Sequence, residues 1–132
     1  MEQLNKEFYF KINDGNEINL NVGIIGPDGI ESEVNLILDT GYNGFIQIPR
    51  DIGDIIGFKP YAVRSSRLAD GTNKPTIETF GVVSFLDKKL SGFIGLQEGT
   101  YHGLIGMQLL NELRMDIKIS LKNSAISFIR TE

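Results

Sequence analysis

The feature that most restricts the fold of this chain is its pattern of short runs in which apolar and polar residues alternate. Turn signals break these runs about every ten residues. Phe8, Phe10 and Ile12 alternate with polar neighbours, and the segment from Ile18 to Ile24 repeats the pattern. A period of two residues is that of a strand with one buried face. We expect further strands at Glu31 to Leu38, Phe45 to Ile48, Tyr61 to Leu68, Thr76 to Phe85, the segment that ends at Leu96, Leu104 to Gly106, Met115 to Ile119 and Ile126 to Phe128.

Glycine, proline and aspartate mark the connections between these strands. Asp14-Gly15-Asn16 and Asp70-Gly71 predict hairpins, and Gly26-Pro27-Asp28-Gly29 and Asp87-Lys88-Lys89 predict tight turns. So many short strands favour an all-β barrel or sandwich. At 132 residues the chain is expected to form a single domain over residues 1-132.

Two segments carry the apolar spacing of short helices instead. In Arg50 to Gly57, Ile52, Ile55 and Ile56 stand at i, i+3 and i+4, and Gly57 can end the helix in a left-handed conformation. Met107 to Leu113 has apolar residues at i, i+3 and i+6. We therefore expect one or two short helices within the β fold.

The composition argues against several classes of function. The net charge is -4 and no Lys/Arg run is present, so we predict no nucleic-acid partner. Cysteine is absent and His102 is the one histidine, which leaves little for a zinc site or a catalytic triad. We predict no metal and no cofactor. No apolar run approaches the roughly 18 residues of a membrane span, and the N-terminus lacks a signal-peptide pattern. We predict no membrane association and a cytoplasmic location.

One predicted strand ends on a carboxylate. Asn35-Leu36-Ile37-Leu38 runs directly into Asp39-Thr40-Gly41, with a second glycine at Gly44. The simplest interpretation of Asp39 is an Asx turn, in which its side chain accepts hydrogen bonds from the following backbone amides. The alternative is a catalytic carboxylate held at a strand end.

The order of motifs decides between these interpretations. Asp39-Thr40-Gly41 is followed by the Asp70-Gly71 hairpin, and later by Leu104-Ile105-Gly106, which leads straight into the Met107 to Leu113 helix. This order, from about Phe8 to Phe128, resembles the retroviral-type (retropepsin-like) aspartic proteases. It is most similar to their small bacterial and archaeal relatives, in which an aromatic residue follows Asp-Thr-Gly and a Gly-Phe pair comes next, here Tyr42 and Gly44-Phe45.

The resemblance implies a closed retropepsin-like acid-protease barrel that acts as a homodimer. It implies an aspartic endopeptidase in which Asp39, with Thr40 and Gly41, forms half of a catalytic pair across a two-fold axis, since the chain carries a single Asp-Thr-Gly. Leu104 to Gly106 is expected to pack beneath the Asp39 loop, and peptide or protein is the expected substrate. The hairpin from Leu68 to Pro75 is expected to be a flap that closes over the substrate. Substrate contacts are expected from Tyr42 and from these flap residues: Leu68, Ala69, Asp70, Gly71 and Thr72.

A second function stays open on the same residues. Most catalytic relatives carry a small Ala or Ser after Asp-Thr-Gly, whereas this chain carries Tyr42. A large ring there changes the surroundings of the carboxylate pair. The alternative is a catalytically inactive retropepsin-fold module for dimerisation or peptide binding.

Overall fold

The computed structural model describes residues 5–67, 70–99 and 102–131, which form ten strands and two short helices. The strands are β1 (Asn5–Lys11), β2 (Asn19–Ile25), β3 (Glu31–Leu38), β4 (Ile46–Pro49), β5 (Ala62–Arg67), β6 (Asn73–Phe85), β7 (Lys88–Gln97), β8 (Gly103–Ile105), β9 (Asp116–Ser120) and β10 (Ala125–Thr131). The helices are α1 (Arg50–Ile56) and α2 (Met107–Leu113). Within the described residues, no helix is long and apolar enough to cross a bilayer.

Six strands close into a barrel in the order β2-β3-β8-β4-β7-β6, and β5 lies outside it against β6. The closing contact is between β2 and the end of β6, where Gly23 to Ile25 pair with Val82 to Ser84. The barrel can close because β6 is 13 residues long, so its first half pairs with β5 and its end reaches β2. The inward-facing residues are branched aliphatic side chains that are fully buried: Val22, Ile24, Leu36, Ile46, Ile94 and Ile105. The predicted closed barrel with two short helices is confirmed.

The chain ends form a separate sheet, in the order β1-β10-β9. It packs on the barrel through an edge-to-face contact between the rings of Phe128 and Phe85, 5.9 Å apart, and within the sheet the Phe128 ring lies 6.0 Å from that of Phe10. The predicted hairpin at Asp14 to Asn16 is therefore wrong in its pairing. The turn forms, but the strands on its two sides do not pair with each other. Strand β1 pairs with β10 instead of β2, because this pairing buries Phe10 against Phe128.

The predicted first helix is confirmed, and Gly57 ends it with φ 101°. Its apolar face differs from the expected one. Ile56 is buried and Ile52 is partly buried against the core, but Ile55 is 82% exposed. The helix has only two turns and packs on β4 and β7 with one narrow side. It therefore buries only part of the apolar face that the spacing predicts.

Candidate active site

The loop that carries Asp39 crosses over a strand of the barrel. Strand β8 lies between β3, to which it is parallel, and β4, to which it is antiparallel. The chain leaves β3 at Leu38 and enters β4 at Ile46, so residues 39–45 must pass from one side of β8 to the other. This crossover places Asp39 immediately after β3, with its backbone amide at the end of β8.

Backbone hydrogen bonds fix the crossover loop at both ends. The Asp39 amide donates to the Ile105 carbonyl at 3.0 Å, and the Gly106 amide donates to the Phe45 carbonyl at 3.0 Å. The first amides of α2 also point at the loop: Met107 donates to the Tyr42 carbonyl at 2.8 Å and Gln108 to the Gly44 carbonyl at 3.1 Å. The prediction that Leu104 to Gly106 packs beneath the Asp39 loop is confirmed.

These contacts explain how α2 begins without a capping side chain. The first amides of a helix lack partners within the helix, and Gly106 at the N-cap offers no side-chain acceptor. The loop carbonyls of Tyr42 and Gly44 take that role. Sequence reasoning missed this function of Gly44, although a helix start that lacks Ser, Thr, Asp or Asn is the signal that another acceptor must exist.

The Asp39 carboxylate has a defined orientation. It is half-buried, and its Oδ1 accepts a hydrogen bond from the Gly41 amide at 2.9 Å. The Asp39 carbonyl in turn accepts from the Tyr42 amide at 3.1 Å. Thr40 and Gly41 are exposed. The two interpretations of Asp39, an Asx turn and an oriented carboxylate, are therefore compatible. The hydrogen bond of the turn holds one carboxylate oxygen, and this also fixes the direction of the other oxygen.

Tyr42 packs into the loop that it follows. Its ring lies against the Cα atoms of Gly44 and Gly106, where a side-chain carbon at either position would overlap it. Its hydroxyl donates to the Ile46 carbonyl at 3.3 Å. Burial, and secondarily the charge of Glu78, raise the pKa of this hydroxyl to about 12. The ring supports the crossover loop from within, and its expected contact with substrate stays a prediction.

The raised pKa of Tyr42 gives a pH-dependent effect on stability. In the unfolded chain tyrosine titrates near pH 10, so the stabilisation from the protonated hydroxyl is complete below about pH 10 and is lost as pH rises towards about 12. We expect the free energy of unfolding of Tyr42→Phe to be about 1 kcal/mol lower than that of the wild type at pH 8, because the hydrogen bond is lost. At pH 11 the deficit should disappear, since the wild type then loses about 1.4 kcal/mol.

Denaturant titrations of both proteins at the two pH values measure this effect. The control is Tyr61→Phe, which removes an exposed hydroxyl. A deficit for Tyr42→Phe that is equal at both pH values would contradict the assignment.

The predicted flap is a hairpin of β5 and β6, as expected from Asp70-Gly71. Leu68 and Ala69, which were predicted to contact substrate, lie outside the described residues. At the exposed tip, Asp70 Oδ1 accepts from the Thr72 amide at 2.9 Å and from its hydroxyl at 2.6 Å, and Gly71 has φ 89°. These bonds, the hydroxyl first, hold the pKa of Asp70 below its usual range. The tip is a well-defined turn, and its role over a substrate stays a prediction.

Comparison with solved structures identifies the architecture. A retropepsin-like aspartic protease from Rickettsia conorii aligns with a TM-score of 0.72 at 15% identity, over 99% of this chain and 96% of that chain. The chain has the retropepsin-like fold. EIAV protease in complex with an inhibitor aligns with a TM-score of 0.60 at 15% identity, over 79% of this chain and 94% of that chain. No protein-family model and no curated protein sequence matches the chain.

Proposed function

We propose that this protein is an aspartic endopeptidase that acts as a homodimer, with Asp39 from each copy forming the catalytic pair. One observation carries the proposal. Within a retropepsin-like fold, Asp39-Thr40-Gly41 lies on a crossover loop that β8 and α2 hold in place, and the Gly41 amide orients the carboxylate.

Two carboxyl groups that face each other can perform the hydrolysis without a metal or a covalent intermediate. Like charges a few Å apart do not both ionise, so the pair shares one proton, as is known for aspartic proteases. The ionised carboxylate takes a proton from a water molecule as that water attacks the peptide carbonyl carbon. The protonated carboxyl donates its proton to the carbonyl oxygen, which gives a tetrahedral intermediate with two hydroxyl groups. The C–N bond of this intermediate then breaks as the carboxyl that took the water proton passes it to the amine nitrogen, while the other carboxylate takes a hydroxyl proton back, so that the pair again holds one proton.

The neighbouring residues have supporting roles in this mechanism. The Thr40 side chain is exposed in the single chain and is therefore available to the same loop of the second copy. Gly41 brings its amide to 2.9 Å from the carboxylate. The hairpin around Asp70-Gly71 closes over the substrate and excludes water, and Tyr42 shapes the floor of the cleft through the loop that it supports.

The direct test is cleavage of an unfolded protein such as reduced casein between about pH 3 and about pH 8. We expect cleavage with an optimum on the acid side, because the pair must hold one proton. A statine inhibitor, which mimics the tetrahedral intermediate, should block it, whereas EDTA should have no effect. Peptide binding without cleavage over this whole range would instead favour the inactive dimerisation or peptide-binding module.

A further inference from the structure

An open cavity of about 650 Å³ lies between the start of β7 and the end of α2. Six residues line it, three from each element: Lys89, Leu90, Ser91, Asn111, Glu112 and Arg114. The volume is within the range of small-molecule sites, and it exceeds what a single inorganic ion needs. The Asp39 loop contacts α2 through the first amides of the helix. The cavity is therefore at the opposite end of α2 from the candidate active site.

The two walls of the cavity are joined to each other and to the core. The Lys88 ammonium, on β7, donates to the carbonyl of Leu113, the last residue of α2, at 2.5 Å. The Leu113 side chain is fully buried, and Leu90 packs against the core from β7. The backbone of the cavity is thus formed before any ligand binds.

The charge on the cavity walls is opposite in sign to that of the whole chain. The net charge of the chain is -4, yet Lys89 and Arg114 place two positive charges at exposed positions on the two walls. The nearby carboxylate of Asp87 is already paired with Lys6. The Lys88 ammonium at the last carbonyl of α2 also offsets the negative end of this helix, which would otherwise disfavour an anion. The cavity therefore favours an anionic ligand.

The other polar side chains of the cavity suit hydroxyl groups. Ser91 and Asn111 can each donate and accept a hydrogen bond, and the Glu112 carboxylate can only accept. Oε1 of Glu112 is 3.4 Å from the amide nitrogen of Gln108, one helical turn earlier, so its other oxygen is available to a ligand. A simple anion would gain nothing from Glu112, whereas an anion that carries hydroxyl groups would donate to it.

We infer that this cavity binds a small phosphate monoester that carries hydroxyl groups, such as a sugar phosphate. Lys89 and Arg114 bind the phosphate, because a guanidinium and an ammonium match its charge and its several acceptor oxygens. Ser91, Asn111 and Glu112 bind the hydroxyl groups. The inference goes beyond the proposed peptidase function and does not depend on it.

Binding of four probes to the wild type tests the ligand class. The probes are ribose 5-phosphate, glucose 6-phosphate, inorganic phosphate and glucose, titrated by calorimetry and by the chemical shifts of the backbone amides. We expect at least one ester to bind about tenfold or more tightly than inorganic phosphate, since it adds the hydroxyl contacts, and glucose to bind most weakly. The shift changes should be largest in residues 88–91 and 111–114.

Two neutralising variants test the phosphate contacts. Lys89→Gln and Arg114→Gln should each weaken binding of the ester about tenfold or more, because each removes a charge-assisted hydrogen bond. The control is Lys122→Gln, which neutralises an exposed lysine in the turn between β9 and β10 and should change the affinity less than about twofold. Thermal unfolding without ligand checks that each variant is folded.

A third variant separates the two parts of the cavity. Glu112→Ala removes both a negative charge and the hydroxyl acceptor. It should bind inorganic phosphate at least as tightly as the wild type, but the ester several-fold more weakly. A merely repulsive carboxylate would instead give tighter binding of both probes.

These measurements decide the inference whether or not the protein cleaves peptides. Shift changes that lie mainly outside the cavity would overturn the site, as would equal affinities of Arg114→Gln and Lys122→Gln for the ester. No binding of either ester at millimolar concentrations, or esters that bind no more tightly than inorganic phosphate, would overturn the ligand class. Tighter binding of both probes by Glu112→Ala would overturn the hydroxyl contact.

Discussion

Asp39→Asn should lower the rate of peptide cleavage by about 10³-fold or more while leaving the fold intact. The amide has nearly the shape of the carboxylate, and its Oδ1 can still accept the hydrogen bond that the Gly41 amide gives to Asp39 at 2.9 Å. It cannot take the proton of the attacking water. In a homodimer the substitution removes both carboxylates, so no residual pair remains.

The experiment compares initial rates on one unfolded substrate for the wild type, Asp39→Asn and Asp54→Asn. Asp54 lies on the exposed face of α1, so its substitution is the matched control for a lost carboxylate. Mixing wild type and Asp39→Asn in equal amounts adds a sharper test. If subunits exchange freely, a site shared across the axis leaves about a quarter of the dimers active. Equal rates for wild type and Asp39→Asn would rule out the mechanism.

Gly106→Ala should destabilise the protein by about 3 kcal/mol and lower its Tm by roughly 10 °C. A side-chain carbon at this position would overlap the Gly44 carbonyl oxygen and stand 2.6 Å from Cδ2 of Tyr42. Neither neighbour can move freely, because the Gly44 carbonyl accepts from Gln108 and the Tyr42 carbonyl from Met107. Relief of the overlap would separate the Asp39 loop from α2, so cleavage should fall together with stability.

Thermal and denaturant unfolding measure the effect. Gly15→Ala is the matched control, since the nearest atom to its added carbon is 3.4 Å away, at an ordinary contact distance. It should change the free energy of unfolding by less than about 0.5 kcal/mol. Equal stability of the two variants would show that the loop and α2 are not packed as described.

Elements whose pattern is local were predicted closely. Strand β3 spans Glu31–Leu38 and helix α2 spans Met107–Leu113, with the bounds read from the sequence. Both follow from periodicity and from glycines that mark their ends. The turn at Asp87 was placed less well. It is formed by Leu86 and Asp87, both with positive φ, and a leucine carries no turn signal.

Predictions that depended on a distant partner were weaker. Asp14 to Asn16 turns the chain as expected, but the partner of β1 is more than a hundred residues away, where β10 buries Phe128 against Phe10. Ile117 and Ile119 alternate as in a half-buried strand, yet they are substantially exposed because β9 is an edge. Alternation shows that a strand has an apolar face, but it does not show how much of that face one chain covers.

The sequence alone determined that Asp39 ends an apolar strand, that a glycine-led helix follows late in the chain, and that short strands dominate the fold. These properties depend on residues that are close together in the chain, so the periodicity of apolar residues and the turn residues are enough to predict them. Only the tertiary structure decided that the first amides of α2 donate to carbonyls of the Asp39 loop, and that Tyr42 turns inward to support this loop. Those hydrogen bonds join segments about sixty residues apart, and they form because the first amides of α2 have no acceptor within the helix.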